Sequence, residues 1–191
     1  MSTIVYLHGF ASSGYSPKSQ ALIDRFGVDS VYHPDLPIDP DETIKVVSNI
    51  VKNAKSFPIV FVGTSLGGFW ANYFAHKYDA KCVLINPSVS PDITMQKRVN
   101  QPVKHYKTNE DIIVTNHMVN RFAELRNECD LLYNGKLVNV FLAKDDDVID
   151  YKDSLSYFKH NNSMTITEDG GHRYNQYWDN VIDKIEDIIN G

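Results

Sequence analysis

Short, nearly continuous apolar runs rich in β-branched residues recur along the chain at positions 4–7, 59–62, 82–85 and 137–143. Runs of that length without polar alternation predict strands covered on both faces, as inside a parallel sheet. Positions 30–33 give a weaker strand, and 164–167 alternate apolar with polar residues as a strand near a sheet edge does. Between these runs the apolar spacing changes to three and four. Asp39-Pro40-Asp41-Glu42 supplies an N-cap, a proline at the first helical position and carboxylates in the first turn, ahead of Ile44, Val47, Ile50, Val51 and Ala54 at helical spacing. Ser16-Pro17 opens an earlier helix in the same way, and Asp150 is placed to cap one beginning at Tyr151. Leu66, Phe69, Trp70, Tyr73 and Phe74 mark another helix. Tyr174, Tyr177, Trp178, Val181, Ile182, Ile185, Ile188 and Ile189 mark the last. Alternating strands and helices predict an α/β fold: a doubly wound, mostly parallel sheet of about six strands, helices on both faces, and functional loops at the carboxyl ends of the strands.

Residues 87–136 break this rhythm. No strand is legible there, and one helix begins near Asn116 with Met118, Phe122 and Leu125 on one face. An insertion of that length predicts a small lid or cap over the strand ends. With 191 residues, 42% of them hydrophobic, the chain has material for one core and not comfortably for two, so 1–191 reads as a single domain.

Charge and composition exclude several classes. The net charge is −5 with Lys and Arg scattered, which leaves no electrostatic footprint for nucleic acid or anionic lipid. Cys82 and Cys129, the only two cysteines, have neither metal nor redox spacing. A reduced, cytoplasmic compartment fits them. The first residues lack a basic region, and their apolar stretch is too short for a signal or a membrane span.

The chemistry is concentrated at the ends of the expected strands. Gly63-Thr64-Ser65-Leu66-Gly67 lies between the 59–62 run and a helical segment, which places a serine at a sharp strand-to-helix turn, a nucleophile elbow. Strand and helix backbones approach closely there, so only very small residues fit two positions before and after the serine. A serine hydroxyl needs a base, and a histidine base needs a third group to fix its tautomer. Both follow in the order serine, acid, histidine: Asp145, Asp146 and Asp147 come straight after the 137–143 run, and His172 closes Glu168-Asp169-Gly170-Gly171 after the 164–167 run. Among the seven histidines, His33, His76, His105, His117 and His160 read as solvated or capping residues. His8, in His8-Gly9-Phe10 after the first strand, reads as a structural holder of that loop. A calcium loop at the aspartates lacks its glycine and terminal glutamate, and phosphate-cradling and dinucleotide fingerprints do not occur, so no metal and no cofactor is implied.

Four segments together, Tyr6-Leu7-His8-Gly9-Phe10 with Ser12-Ser13, Gly63 to Gly68, Asp146 to Tyr151, and Gly170-Gly171-His172, resemble the small bacterial esterases of the α/β-hydrolase superfamily, the YqiA-like or UPF0227 group. The resemblance implies Ser65 as nucleophile, Asp146 as acid, His172 as base, and the backbone N–H groups of Phe10 and Leu66 as the oxyanion hole. Asp145 stands where similar proteins often carry glycine, and Arg173 where a small residue is common. The expectation is a serine hydrolase for carboxylic ester or thioester substrates of short to medium acyl chain, with Met118 and Phe122 walling an apolar substrate pocket. A non-catalytic ligand-binding protein of the same fold, or a C–C bond hydrolase using the same residues, is the alternative.

Overall fold

The computed structural model describes residues 2–191. The apolar runs form β1 (Thr3–Leu7), β3 (Ile59–Thr64), β4 (Lys81–Ile85) and β7 (Val138–Ala143), and β1, β3 and β7 are buried along their whole length. β2 (Val31–Tyr32) and β8 (Ser163–Thr167) lie at the two edges. The order β2-β1-β3-β4-β7-β8 is parallel throughout. From β1 the chain winds first to one side and then to the other, so its topological switch point lies between β1 and β3. In such sheets ligands bind in the crevice outside the carboxyl ends at that point.

Each strand turns alternate side chains to opposite faces, which splits the core in two. Val5, Leu7, Phe61, Leu84, Val140 and Leu142 pack one face against α2 (Pro40–Asn53), α3 (Leu66–Lys77) and α5 (Asn116–Leu132). Ile4, Tyr6, Val62, Ile85 and Phe141 pack the other against α1 (Pro17–Phe26) and α7 (Trp178–Asn190). α3 is buried from Gly67 through His76, as a helix that is apolar nearly all round must be. The capping expectations match: the Asp39 carboxylate accepts from the N–H groups of Asp41 and Glu42, Ser16 caps α1, and Asp150 caps α6 (Tyr151–Tyr157).

Two local expectations are corrected. The segment 87–136 does contain strands: after α4 (Pro91–Gln96), β5 (Pro102–Lys104) and β6 (Asp111–Ile113) pair as an antiparallel hairpin. Only Ile112 of β6 is buried, so the hairpin carries no apolar run to announce it. The final helix begins at Trp178, not Tyr174, because Tyr174 adopts a left-handed conformation (φ 55°) and a 3₁₀ turn at Asn175–Tyr177 intervenes. Tyr174 is apolar-face material all the same, fully buried with its ring edge-on to Phe141.

α5 is the crossover helix of the sheet: Phe122, Leu125 and Cys129 sit in the core against α3. What stands over the strand ends is the shorter piece formed by α4 and the hairpin. Met95, Val114 and Val119 make a small cluster there, with Phe10 and Leu66 packed against it. The bidentate Arg126–Asp92 pair, with both contacts at 2.9 Å, fastens α4 to α5. The Tyr106 N–H donates to the Ala11 carbonyl at 2.8 Å, tying the hairpin to the loop after β1.

Candidate active site

Ser65 leaves β3 in a backbone conformation that L-residues rarely adopt, φ 56° and ψ −123°. Its neighbours allow this. A Cβ on Gly63 would lie 2.0 Å from the Gly67 carbonyl oxygen, and one on Gly67 would lie 1.9 Å from that of Leu7. Hydrogen bonds hold the turn: the Ser65 N–H donates to the Ile85 carbonyl at 3.1 Å, and its carbonyl accepts from Gly68 and Ser88 at 2.9 and 3.0 Å. The side chain does not cap α3, so the hydroxyl stands free at the carboxyl edge of the sheet, on a backbone whose strain marks functional turns.

The loop after β1 faces it. A Cβ on Gly9 would come within 3.3 Å of the Ser65 Cβ and 3.7 Å of its Oγ, so the backbone of this loop passes close to the hydroxyl. His8 holds the loop in place: its Nε2 accepts from the Leu36 N–H at 2.8 Å while Nδ1 lies 2.8 Å from the Gly9 carbonyl oxygen. A nitrogen accepting from an amide carries no proton, so Nδ1 bears it and the ring is neutral. Burial is the main reason its pKa is lowered below the ordinary imidazole value. Among the described residues, the N–H groups of Phe10 and Leu66 have no acceptor. Both residues line a small cleft with Gly9, Leu36, Trp70 and His105. Leu66 is the first residue of α3, where the helix dipole adds to any attraction for negative charge.

Asp146 and His172 meet across the ends of β7 and β8. His172 Nδ1 lies 2.8 Å from Asp146 Oδ2 and 3.0 Å from Oδ1. A carboxylate only accepts, so the proton is on Nδ1 and Nε2 is left as a free base. The Asp146 side chain is 1% exposed, and its Oδ1 also accepts from the N–H groups of Val148 and Ile149 at 2.8 and 2.9 Å. These bonds fix the carboxylate before the imidazole reaches it. Ser65 Oγ and His172 are not hydrogen-bonded to each other; bonds of this kind are often long and tighten only with substrate.

One residue that carried no signal in the sequence, Asn86, holds these loops together with Asp145, there a candidate for the acid. Asn86 is 2% exposed and follows β4 in a left-handed conformation (φ 42°). Its amide donates to the Gly171 and His172 carbonyls at 3.0 and 3.2 Å, while its Oδ1 accepts from the Ala143 N–H at 2.9 Å. Thr64 pairs with Ile85 in the sheet, so Asn86 comes level with Ser65 on the neighbouring strand. One side chain thereby anchors the histidine loop beside the serine and at the end of β7, where the acid loop begins. Asp145 Oδ1 accepts from the Gly171 N–H at 2.8 Å, a second clamp on that loop, and the Lys18 amine donates to the Arg173 carbonyl.

The expected pocket walls are not where the helical periodicity put them. Phe122 is 2% exposed, with its ring edge-on to Phe69 and tilted against Trp70, so it is a core residue and does not line the cleft beside Phe10 and Leu66. The helical period identified a buried face correctly but does not say what that face is buried against. Met118 is half-buried and lies outside the cleft beside Phe10 and Leu66.

A six-stranded parallel sheet of this winding, with a serine on a strained turn after β3 and an acid–histidine pair beyond β7 and β8, defines the class: the protein has the α/β-hydrolase fold. The chain belongs to the uncharacterised protein family UPF0227, whose model matches residues 3–190. A relative from Shewanella woodyi, a UPF0227 protein, is 30% identical over 165 residues, covering 81% of this chain and 83% of the relative. Among solved structures, a putative hydrolase from Agrobacterium vitis superimposes with a TM-score of 0.76 at 17% identity, over 98% of this chain and 87% of the other. A monoacylglycerol lipase from Paleococcus ferrophilus does so with a TM-score of 0.71 at 12% identity, over 97% and 96%.

Proposed function

We propose that the protein is a serine hydrolase of carboxylic ester or thioester bonds in small acyl substrates, acting in the cytoplasm without metal or cofactor. Ser65 Oγ attacks the acyl carbon as His172 Nε2 takes its proton, and the oxyanion settles on the N–H groups of Phe10 and Leu66. The tetrahedral adduct collapses, the alcohol or thiol leaves with the proton held by His172, and an acyl-enzyme remains on Ser65. Water, deprotonated by the same imidazole, then releases the acid. Asp146 holds the ring in the tautomer that leaves Nε2 basic. The α4–hairpin piece, rather than the whole of 87–136, is the cap over the cleft.

The observation that carries the reading is the Asp146–His172 hydrogen bond at 2.8 Å, formed on a loop that Asn86 ties beside the strained Ser65 turn. The esterases and lipases among the structural neighbours add support from the fold. The cleft is shallow, with an enclosed volume of about 30 Å³ and the rest open to solvent, which favours short acyl chains over long ones. Two free buried thiols, Cys82 and Cys129, suit a reducing compartment. The test is turnover of p-nitrophenyl esters and matching thioesters of increasing acyl length. Hydrolysis that is fastest for short chains is expected, and no turnover on any member would overturn the proposal.

A further inference from the structure

The cleft beside Phe10 and Leu66 is walled mainly by apolar groups, among them Leu36, Pro37, Ile38 and Trp70. Besides the Trp70 indole, its polar side chains are Ser12, whose hydroxyl can donate or accept, His105 and His8, and the two histidines differ in what they have left to offer. His8 has none: Nε2 accepts from Leu36 and Nδ1 is engaged with Gly9. His105 is different. It comes from the hairpin of the cap, and its Nδ1 accepts from two backbone N–H groups, those of Lys107 and Thr108, at 3.2 and 3.1 Å. A ring nitrogen accepting from amides carries no proton, so in the neutral ring the proton sits on Nε2. Among the described residues that N–H has no acceptor. His105, half-buried at the cleft wall, thus carries a hydrogen-bond donor whose tautomer is fixed by its own loop. The loop is held in turn by the hydrogen bond from the Tyr106 N–H to the Ala11 carbonyl at 2.8 Å, one residue beyond Phe10.

We infer that His105 is a specificity-determining residue, whose Nε2–H binds an oxygen acceptor on the acyl part of the substrate, a few atoms from the scissile carbonyl. The preferred substrates are then short acyl esters or thioesters carrying a distal keto or carboxylate oxygen, rather than plain alkanoyl groups. This rests on the hydrolase reading above and deepens it. The chemistry follows from the cleft: a purely apolar chain would cover the His105 N–H without replacing its hydrogen bond to water, and leaving a buried donor unsatisfied opposes binding. An acceptor at that point removes the penalty.

The experiment compares kcat/KM for the p-nitrophenyl esters of pentanoate, 4-oxopentanoate and hydrogen succinate, in the wild type and in His105→Leu and His105→Gln. For the wild type the 4-oxo ester should exceed the pentanoate ester by about tenfold, the effect of one hydrogen bond. The succinate arm tells whether a charged carboxylate serves better than a neutral ketone. In His105→Leu the preference should collapse to near unity, because the pentanoate ester is relieved of the uncompensated N–H while the 4-oxo ester loses its hydrogen bond. His105→Gln, which keeps a donor, should retain much of the preference. Equal wild-type values for all three esters overturn the inference whether or not either variant folds, as does an unchanged preference in a folded His105→Leu. Failure to hydrolyse any of the three would instead overturn the hydrolase reading, and this inference with it.

Discussion

At the scale of single residues, three aspartates in the loop after β7 illustrate how position divides roles. Asp146 meets the imidazole, Asp145 clamps the Gly171 N–H, and Asp150 a few residues later caps α6. Replacing Asp146 by Asn keeps the shape but lets the amide favour the wrong tautomer, and kcat is expected to fall by about a thousandfold to ten-thousandfold. Asp145→Asn still offers an oxygen to Gly171, so its loss should be far smaller. Ester turnover by the two variants checks the assignment, and the reverse ranking would move the acid to Asp145. Asn86 makes a sharper case because its amide must donate to two carbonyls and accept from Ala143. Asn86→Asp turns a donor into a second acceptor facing the Gly171 and His172 oxygens. A fall in kcat with KM little changed is expected if it positions the histidine, whereas an equal loss of stability with normal kcat in the folded fraction would make it merely structural. The turn at Ser65 and the loops that carry the aspartates and His172 were legible in the sequence because of their spacing and order after the strands, whereas spacing did not separate Asp146 from Asp145 and Asp147. Asn86 was not, since a polar residue after a strand looks like any turn residue until the fold shows what lies opposite it.

Among the elements, the loop after β1 and the helix α5 carry the clearest consequences. The pKa of His8 is held below the ordinary imidazole value by burial, while in the unfolded chain the ring titrates near about 6.5. On acidification the unfolded state therefore takes up its proton first. The stabilising contribution of the neutral ring is full above that value and is lost as the pH falls from it towards the folded pKa. The urea unfolding midpoint should drop as the pH falls below about 6.5, and His8→Asn should show a shallower drop. An identical pH slope in the two proteins would contradict the buried neutral ring. For α5, Phe122→Ala should cost about 3–5 kcal/mol of stability, as deletion of a core aromatic does. The acyl-length profile should be unchanged. A shifted profile would return Phe122 to the pocket wall. The strands and the capped helices could be read from the sequence because apolar runs and cap residues are local signals. The hairpin of β5 and β6 could not, having a single buried side chain in β6 and only exposed or half-buried positions in β5.

For the whole molecule, the winding of the sheet accounts for where chemistry is possible. The switch point between β1 and β3 opens a crevice at the carboxyl ends, and the loops after β1, β3, β7 and β8 all converge there. Sequence order alone predicted that convergence, because a doubly wound parallel sheet brings every strand's carboxyl end to one edge. What the order could not convey is the division of residues 87–136 into a crossover helix within the core and a shorter piece formed by α4 and the hairpin. The central claim is that Ser65 is an activated nucleophile, and intact-mass measurement after incubation with a fluorophosphonate tests it most directly. The account predicts one covalent adduct per chain in the wild type, none in Ser65→Ala, and slow labelling in His172→Ala; a wild-type protein that stays unlabelled, or an adduct that persists in Ser65→Ala, would contradict it.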